Sequence, residues 1–254
     1  MSRLIALFAL FFCCVSCSSK KDIFYFQDIA AKKQSEVVYN PLKIQVNDIL
    51  NITVSALNQE AAASYNFQLG NNSVNTSSPD AMKFQGYIVP ADGVIVMPVL
   101  GKVTVLGKTT RELEDFLVNL LITDGHILNP YVKVRILNPK ITILGEVNSP
   151  GTFAYSEQSI SLLQAIGYAG DLNLMANRKD ILIIREENGT RTYNHIDLTK
   201  TDWFSGPFYY VKQNDVIYVT PNGPKVKSAG YVTNLLGVFS LISATLTLYF
   251  LIKR

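Results

Sequence analysis

Cysteine, histidine and tryptophan are nearly missing from this chain. Its three cysteines, Cys13, Cys14 and Cys17, all stand within the first 17 residues, and the whole chain holds one Trp and two His. Beyond Cys17 there is no thiol for a disulfide framework or a cysteine metal site, so the fold must be held by its apolar core. His126 and His195 stand in no metal-ligand spacing with each other or with clustered carboxylates. No Gly-x-Ser-x-Gly elbow and no Gly-x-x-x-x-Gly-Lys phosphate loop occurs, which removes the signatures of two large enzyme classes. Basic runs are short too: no Lys/Arg stretch exceeds two residues and net charge is +3, so nucleic acid has no electrostatic footprint here. The acidic clusters have structural readings. Glu186-Glu187 abuts an Asn-Gly turn, and Glu112, Glu114 and Asp115 open a helix whose dipole they complement. No enzyme, no metal and no cofactor is expected.

What the chain does have is apolar sequence at both ends. Arg3 precedes an apolar run from Leu4 to Phe12, too short to span a bilayer as a helix but suited to the core of a signal peptide. It leads to Cys14-Val15-Ser16-Cys17 and then to polar residues. This pattern resembles a bacterial lipoprotein signal over residues 1–16, with Cys17 as the acylated residue and 17–38 as a lipid-anchored lead-in, of which 23–38 reads as extended. An ordinary signal peptide with incidental cysteines is the alternative. At the other end, Gly230 to Ile252 carries no charge before Lys253-Arg254, long enough to cross a hydrocarbon core of about 30 Å. A transmembrane helix is expected over 228–252. Gly230, Thr233, Gly237, Ser240, Ala244 and Thr247 form one stripe of small and hydroxyl residues on it, a candidate for helix packing or for a pore wall. A simple single-pass anchor accounts for the same residues.

Between the ends the pattern alternates short strands with two helices, an α+β class. Tyr39–Leu57 reads as two strands around the turn Asn47-Asp48, and 58–85 as a long polar surface loop. Gly86–Val105 reads as β structure with a turn at Ala91-Asp92-Gly93, running on as strand from Val96 through Gly101 to Val105. Thr109 and Glu112 form a capping box, followed by the apolar face Leu113, Phe116, Leu117, Leu120 and Leu121. A strand from Tyr131 to Leu137 closes this part. The second part holds a strand at Ile141–Val147, a helix at Ser161–Tyr168 and a hairpin around Glu187-Asn188-Gly189, and Pro221-Asn222-Gly223-Pro224 breaks the chain at its end. Gln45-Val46-Asn47-Asp48-Ile49-Leu50 is echoed by Lys212-Gln213-Asn214-Asp215-Val216-Ile217, either a shared turn-and-strand unit or a coincidence.

Several spaced motifs then point to a family. Val89-Pro90-Ala91-Asp92-Gly93, Pro98-Val99-Leu100-Gly101, Gly107-Lys108-Thr109 and Asn129-Pro130-Tyr131-Val132 resemble the polysaccharide biosynthesis/export proteins. Gly145-Glu146-Val147, Pro150-Gly151-Thr152-Phe153, Ala176-Asn177-Arg178 and Asn214-Asp215-Val216 resemble the soluble-ligand-binding β-grasp (SLBB) module that follows in that family. The resemblance implies a polysaccharide export domain over 39–137, an SLBB β-grasp domain over 138–222 and the C-terminal helix. It also implies a homo-oligomeric ring at the outer membrane, lipid-anchored with its body in the periplasm. Through that ring capsular or exopolysaccharide would pass, with a copolymerase or tyrosine-kinase-type partner in the inner membrane. Ser18 after the lipid cysteine accords with outer-membrane sorting. The alternative is a lipid-anchored periplasmic glycan-binding module without a pore.

Overall fold

The structure is a computed structural model that describes residues 20–31, 34, 39, 41–66, 86–187, 189–228, 239–240, 242–244, 247 and 251–252. Cys17, Gly230, Thr233 and Gly237 lie outside them.

In the first lobe, strand β1 (Ile49–Ser55) alternates buried Leu50, Ile52 and Val54 with half-buried Asn51 and exposed Thr53 and Ser55. It is flanked antiparallel by β2 (Tyr87–Ile88) and β5 (Tyr131–Ile136), giving the order β2-β1-β5. The arm before it does not form the expected hairpin partner: Ile44 instead exchanges backbone hydrogen bonds with Gly107 and Lys108. The polar segment after β1 opens with a short helix, α1 (Gln59–Ala63), whose first free amides are accepted by the side chain of Asn58.

The stretch expected as one strand from Val96 to Val105 is two, β3 (Val94–Met97) and β4 (Gly101–Thr104). Pro98 opens the turn between them, and Val99 sits at φ 63°, unusual for a β-branched residue.

Helix α2 (Thr110–Thr123) starts with the complete Thr109/Glu112 capping box. Its inner face is Leu113, Leu117 and Leu121, each at 0% exposure, and burying each is worth about 1.5–3 kcal/mol. Phe116, expected on that face, is exposed with Lys108 Nζ over its ring at 5.2 Å. Glu114 takes an inward place instead of serving the helix dipole. Its carboxylate accepts the Val134 amide at 3.0 Å and pairs with Lys133 at 3.1 Å, so an amide of the sheet's outer strand is satisfied.

In the second lobe a five-stranded sheet runs β10 (Thr190–Ile196), β9 (Ala176–Glu187), β12 (Val216–Pro221), β6 (Lys140–Gly145), β7 (Gly151–Ala154). Only β12 and β6 pair parallel. Gly145 marks their closest approach, at φ 89°, where a Cβ would stand 2.1 Å from the Val219 carbonyl oxygen. β8 (Ile160–Ser161) pairs with β11 (Tyr210–Val211), and α3 (Leu162–Tyr168), capped by Ser161 and Gln164, covers one face. Ile141, Ile143, Ile181, Ile183 and Ile217 meet in this core at 0% exposure.

The lead-in is not simply extended. It forms 3-10 turns at Lys20–Asp22 and Ile29–Ala31 and straps the second lobe. The Phe26 and Gln27 amides donate to the Leu198 and Thr199 carbonyls, Tyr25 Oη donates to Asp171 at 2.6 Å, and Phe26 packs edge-on to Phe204. Burial and the Asp171 carboxylate both raise the pKa of the Tyr25 hydroxyl.

After β12 the chain does not break. Helix α4 (Gly223–Ser228) begins at once, with Pro224 in its first turn, where a missing N–H costs nothing. The spanning helix expected over 228–252 lies mostly outside the described residues, and among the described residues no helix is long and apolar enough to cross a membrane. Of the stripe, Ser240, Ala244 and Thr247 are described, helical and exposed. Thr247 Oγ1 donates to the Ser243 carbonyl at 2.7 Å, so this hydroxyl is satisfied within the helix.

Candidate functional site

The two echoed sequences prove to be the same device, and they meet. In each, the Asn at the third turn position takes positive φ (Asn47 69°, Asn214 64°), as a type II turn requires. In each, the following Asp folds back: Asp48 Oδ2 accepts the Gln45 amide at 2.7 Å, and Asp215 Oδ2 accepts the Lys212 amide at 2.8 Å. The turns then interlock across the seam between the lobes. Gln213 Nε2 donates to Asp48 Oδ2 at 2.7 Å, and Asn214 Nδ2 donates to Gln45 Oε1 at 2.9 Å.

Their electrostatics differ. Asp215, 1% exposed, is gripped by Arg185 through Nε–Oδ1 at 2.9 Å and Nη2–Oδ2 at 2.7 Å. Arg185 also donates to the Pro207 and Tyr210 carbonyls and lies over the Phe208 ring. Burial pushes the Asp215 carboxyl up, and Arg185 pulls against it. Asp48 has only neutral donors, the Gln45 amide and Gln213, so burial dominates and its pKa rises to about 6.

Beside this junction runs a groove of about 250 Å³ that both lobes line. The arm contributes Tyr39, half exposed and edge-on to Tyr210 at 5.8 Å; β5 contributes Lys133 and Arg135; the β7–β8 loop contributes Ser156, Glu157 and Gln158. The Glu157 carboxyl is held below the usual carboxylate range by its own amide and that of Ser156, so it is anionic at neutral pH. An aromatic platform with a guanidinium, a carboxylate and amide groups around it suits a polar ligand with an apolar face, such as a sugar ring. None of these residues stood out in the sequence, because Tyr39, Arg135 and Glu157 become neighbours only through the seam.

The histidines are placed apart. His126 lies edge-on to Tyr65 at 5.6 Å, and His195 pairs through Nδ1 with Asp180 on the surface of the second lobe. Among the described residues no three His, Cys, Asp or Glu side chains are grouped to hold a metal.

Against known proteins, two family models match in succession. One described as polysaccharide biosynthesis/export protein covers residues 37–137, and one described as SLBB domain covers 139–219. Among curated proteins, the chain is similar to the EPS I polysaccharide export outer membrane protein EpsA of Ralstonia nicotianae, 28% identical over 136 residues, which is 52% of this chain and 35% of the relative. The protein of the same name from Ralstonia solanacearum is 26% identical over 137 residues, 53% of this chain and 36% of the relative. The match thus spans about a third of the length of these curated relatives.

Proposed function

The chain belongs to the polysaccharide biosynthesis/export family, and from that premise we propose that it is a subunit of an oligomeric outer-membrane channel passing capsular or exopolysaccharide out of the periplasm. The observation that carries this reading is the export unit followed directly by an SLBB unit, in a chain similar to proteins named for polysaccharide export at the outer membrane. Cys17 would carry the lipid, and the uncharged run from Gly230 to Ile252 would cross the membrane, packing its stripe of Gly230, Thr233, Gly237, Ser240, Ala244 and Thr247 against neighbouring copies. The chain would conduct rather than catalyse. Synthesis and a copolymerase in the inner membrane would supply the drive. The deciding experiment is deletion of the gene with complementation by the full chain, read as polysaccharide at the cell surface, together with imaging of detergent-purified particles. Export restored by rings of closed symmetry supports the proposal; export without any assembly overturns the channel.

The groove favours a second reading, a lipid-anchored glycan-binding module without a pore, since Tyr39 and Arg135 offer a sugar platform on a single copy. Gly237→Leu with Ser240→Leu separates the two. Loss of assembly and export favours the channel, and unchanged export favours the module.

A further inference from the structure

Both chain ends leave the second lobe at one edge, formed by the segment that joins α3 to β9 and by the first residues of β9, from Asp171 to Lys179. On the N-terminal side, Tyr25 Oη holds Asp171 at 2.6 Å and Asp22 pairs with Lys179 at 2.6 Å. On the C-terminal side, Asn222, just before α4, donates its amide to the Met175 carbonyl and its Nδ2 to the Leu174 carbonyl at 3.0 Å. Between the two exits the segment turns outward and carries Leu174 at 71% and Met175 at 44% exposure, and Val226 of α4, whose amide donates to the Asn222 carbonyl, is 59% exposed. Among the described residues, none of these three side chains belongs to either apolar core.

We infer that the Leu174–Met175 turn, with Val226, is a lipid-contacting surface that rests in the interfacial region of the membrane and sets the second lobe against it. The inference rests on the reading of the chain as an outer-membrane protein. The occupant follows from what the two exits lead to. Cys17 stands three residues before Lys20, a reach of at most ~11 Å. The uncharged run begins at Gly230, two residues after α4 ends at Ser228, a reach of ~7 Å. Two hydrocarbon-seeking segments leaving one edge by such short tethers hold that edge at the bilayer, and apolar side chains there gain by leaving water. Among the described side chains at this edge, Lys179 pairs with Asp22 and Lys225 with Glu146 at 3.8 Å. The contact is therefore apolar rather than a charge attraction to anionic headgroups.

The test uses the full chain reconstituted in phosphatidylcholine vesicles, with an environment-sensitive fluorophore on Leu174→Cys, on Val226→Cys and, as a control on the first lobe, on Leu128→Cys (91% exposed). Wild-type chain labelled in parallel gives the background from any of Cys13, Cys14 and Cys17 that keeps a free thiol. Brominated phosphatidylcholine serves as the quencher. The expected result is a blue-shifted emission and several-fold stronger lipid quenching at 174 and 226 than at 128. A chain that floats with the vesicles yet shows position 174 as wet as 128 overturns this inference alone. A blue shift without lipid quenching also overturns it, in favour of a contact between copies. A chain that does not float at all overturns the membrane reading together with it.

Discussion

Gln213 of the second lobe donates its side-chain amide to the carboxylate of Asp48 in the first, at 2.7 Å and across 165 residues of sequence. The bond joins two turns of one design, and both partners are 3% exposed. It makes the seam between the lobes sensitive to the charge on one carboxyl group.

The first prediction concerns pH. A carboxyl whose folded pKa lies near 6, above an unfolded value near 4, destabilises the fold once it is ionised. Its favourable contribution is therefore present below about pH 4 and is lost as pH rises toward 6, amounting to about 2–3 kcal/mol. Asp215, raised in the same direction, adds to the trend. Thermal unfolding measured from pH 7 to pH 5 should show this component as a rising midpoint, and Asp48→Asn should flatten it. An unchanged slope in the variant would show that Asp48 is not the group responsible.

Removing the cation of the second turn should be more damaging. Arg185→Met leaves Asp215 buried and unpaired and orphans the Pro207 and Tyr210 carbonyls, at an expected cost of about 3–5 kcal/mol. Urea unfolding followed by Trp203 fluorescence reads this directly, since Trp203 lies in the same lobe's core.

Gly145→Ala tests the parallel seam of β6 and β12. The added Cβ meets the Val219 carbonyl oxygen at 2.1 Å from a left-handed backbone, so backbone must move, and a loss of more than about 3 kcal/mol is expected. Gly189→Ala, also at positive φ but with nothing within 4 Å, should cost only about 1 kcal/mol. Equal costs would refute the packing argument.

The groove makes a functional prediction. Tyr39→Ala with Arg135→Ala removes the aromatic platform and the guanidinium without touching either core. Melting temperature should stay within a degree or two while binding of a uronic-acid oligosaccharide by isothermal titration falls at least tenfold. Binding that persists would place the glycan elsewhere.

Much of this was legible before the fold was known. Thr109 and Glu112 announce a helix start because a cap is made within four residues. The alternation in Ile49–Ser55 announces a strand because neighbouring residues face opposite ways. Failures came where a residue's partner was remote. Phe116 faces out and Glu114 faces in, where its carboxylate accepts the amide of Val134, 20 residues on. The Val96–Val105 run split because Val99 accepts a left-handed turn that its side chain disfavours.

The sequence by itself determined the local order of turns, strands and caps, the succession of the two family units, and the apolar character of both ends. All of these rest on neighbours in the chain. Tertiary structure alone decided that the Asn47-Asp48 and Asn214-Asp215 turns interlock, that Tyr25 straps Asp171 across 146 residues, and that both ends leave beside Leu174. Contacts at such separations depend on how two lobes pack, and no periodicity in a single chain encodes that.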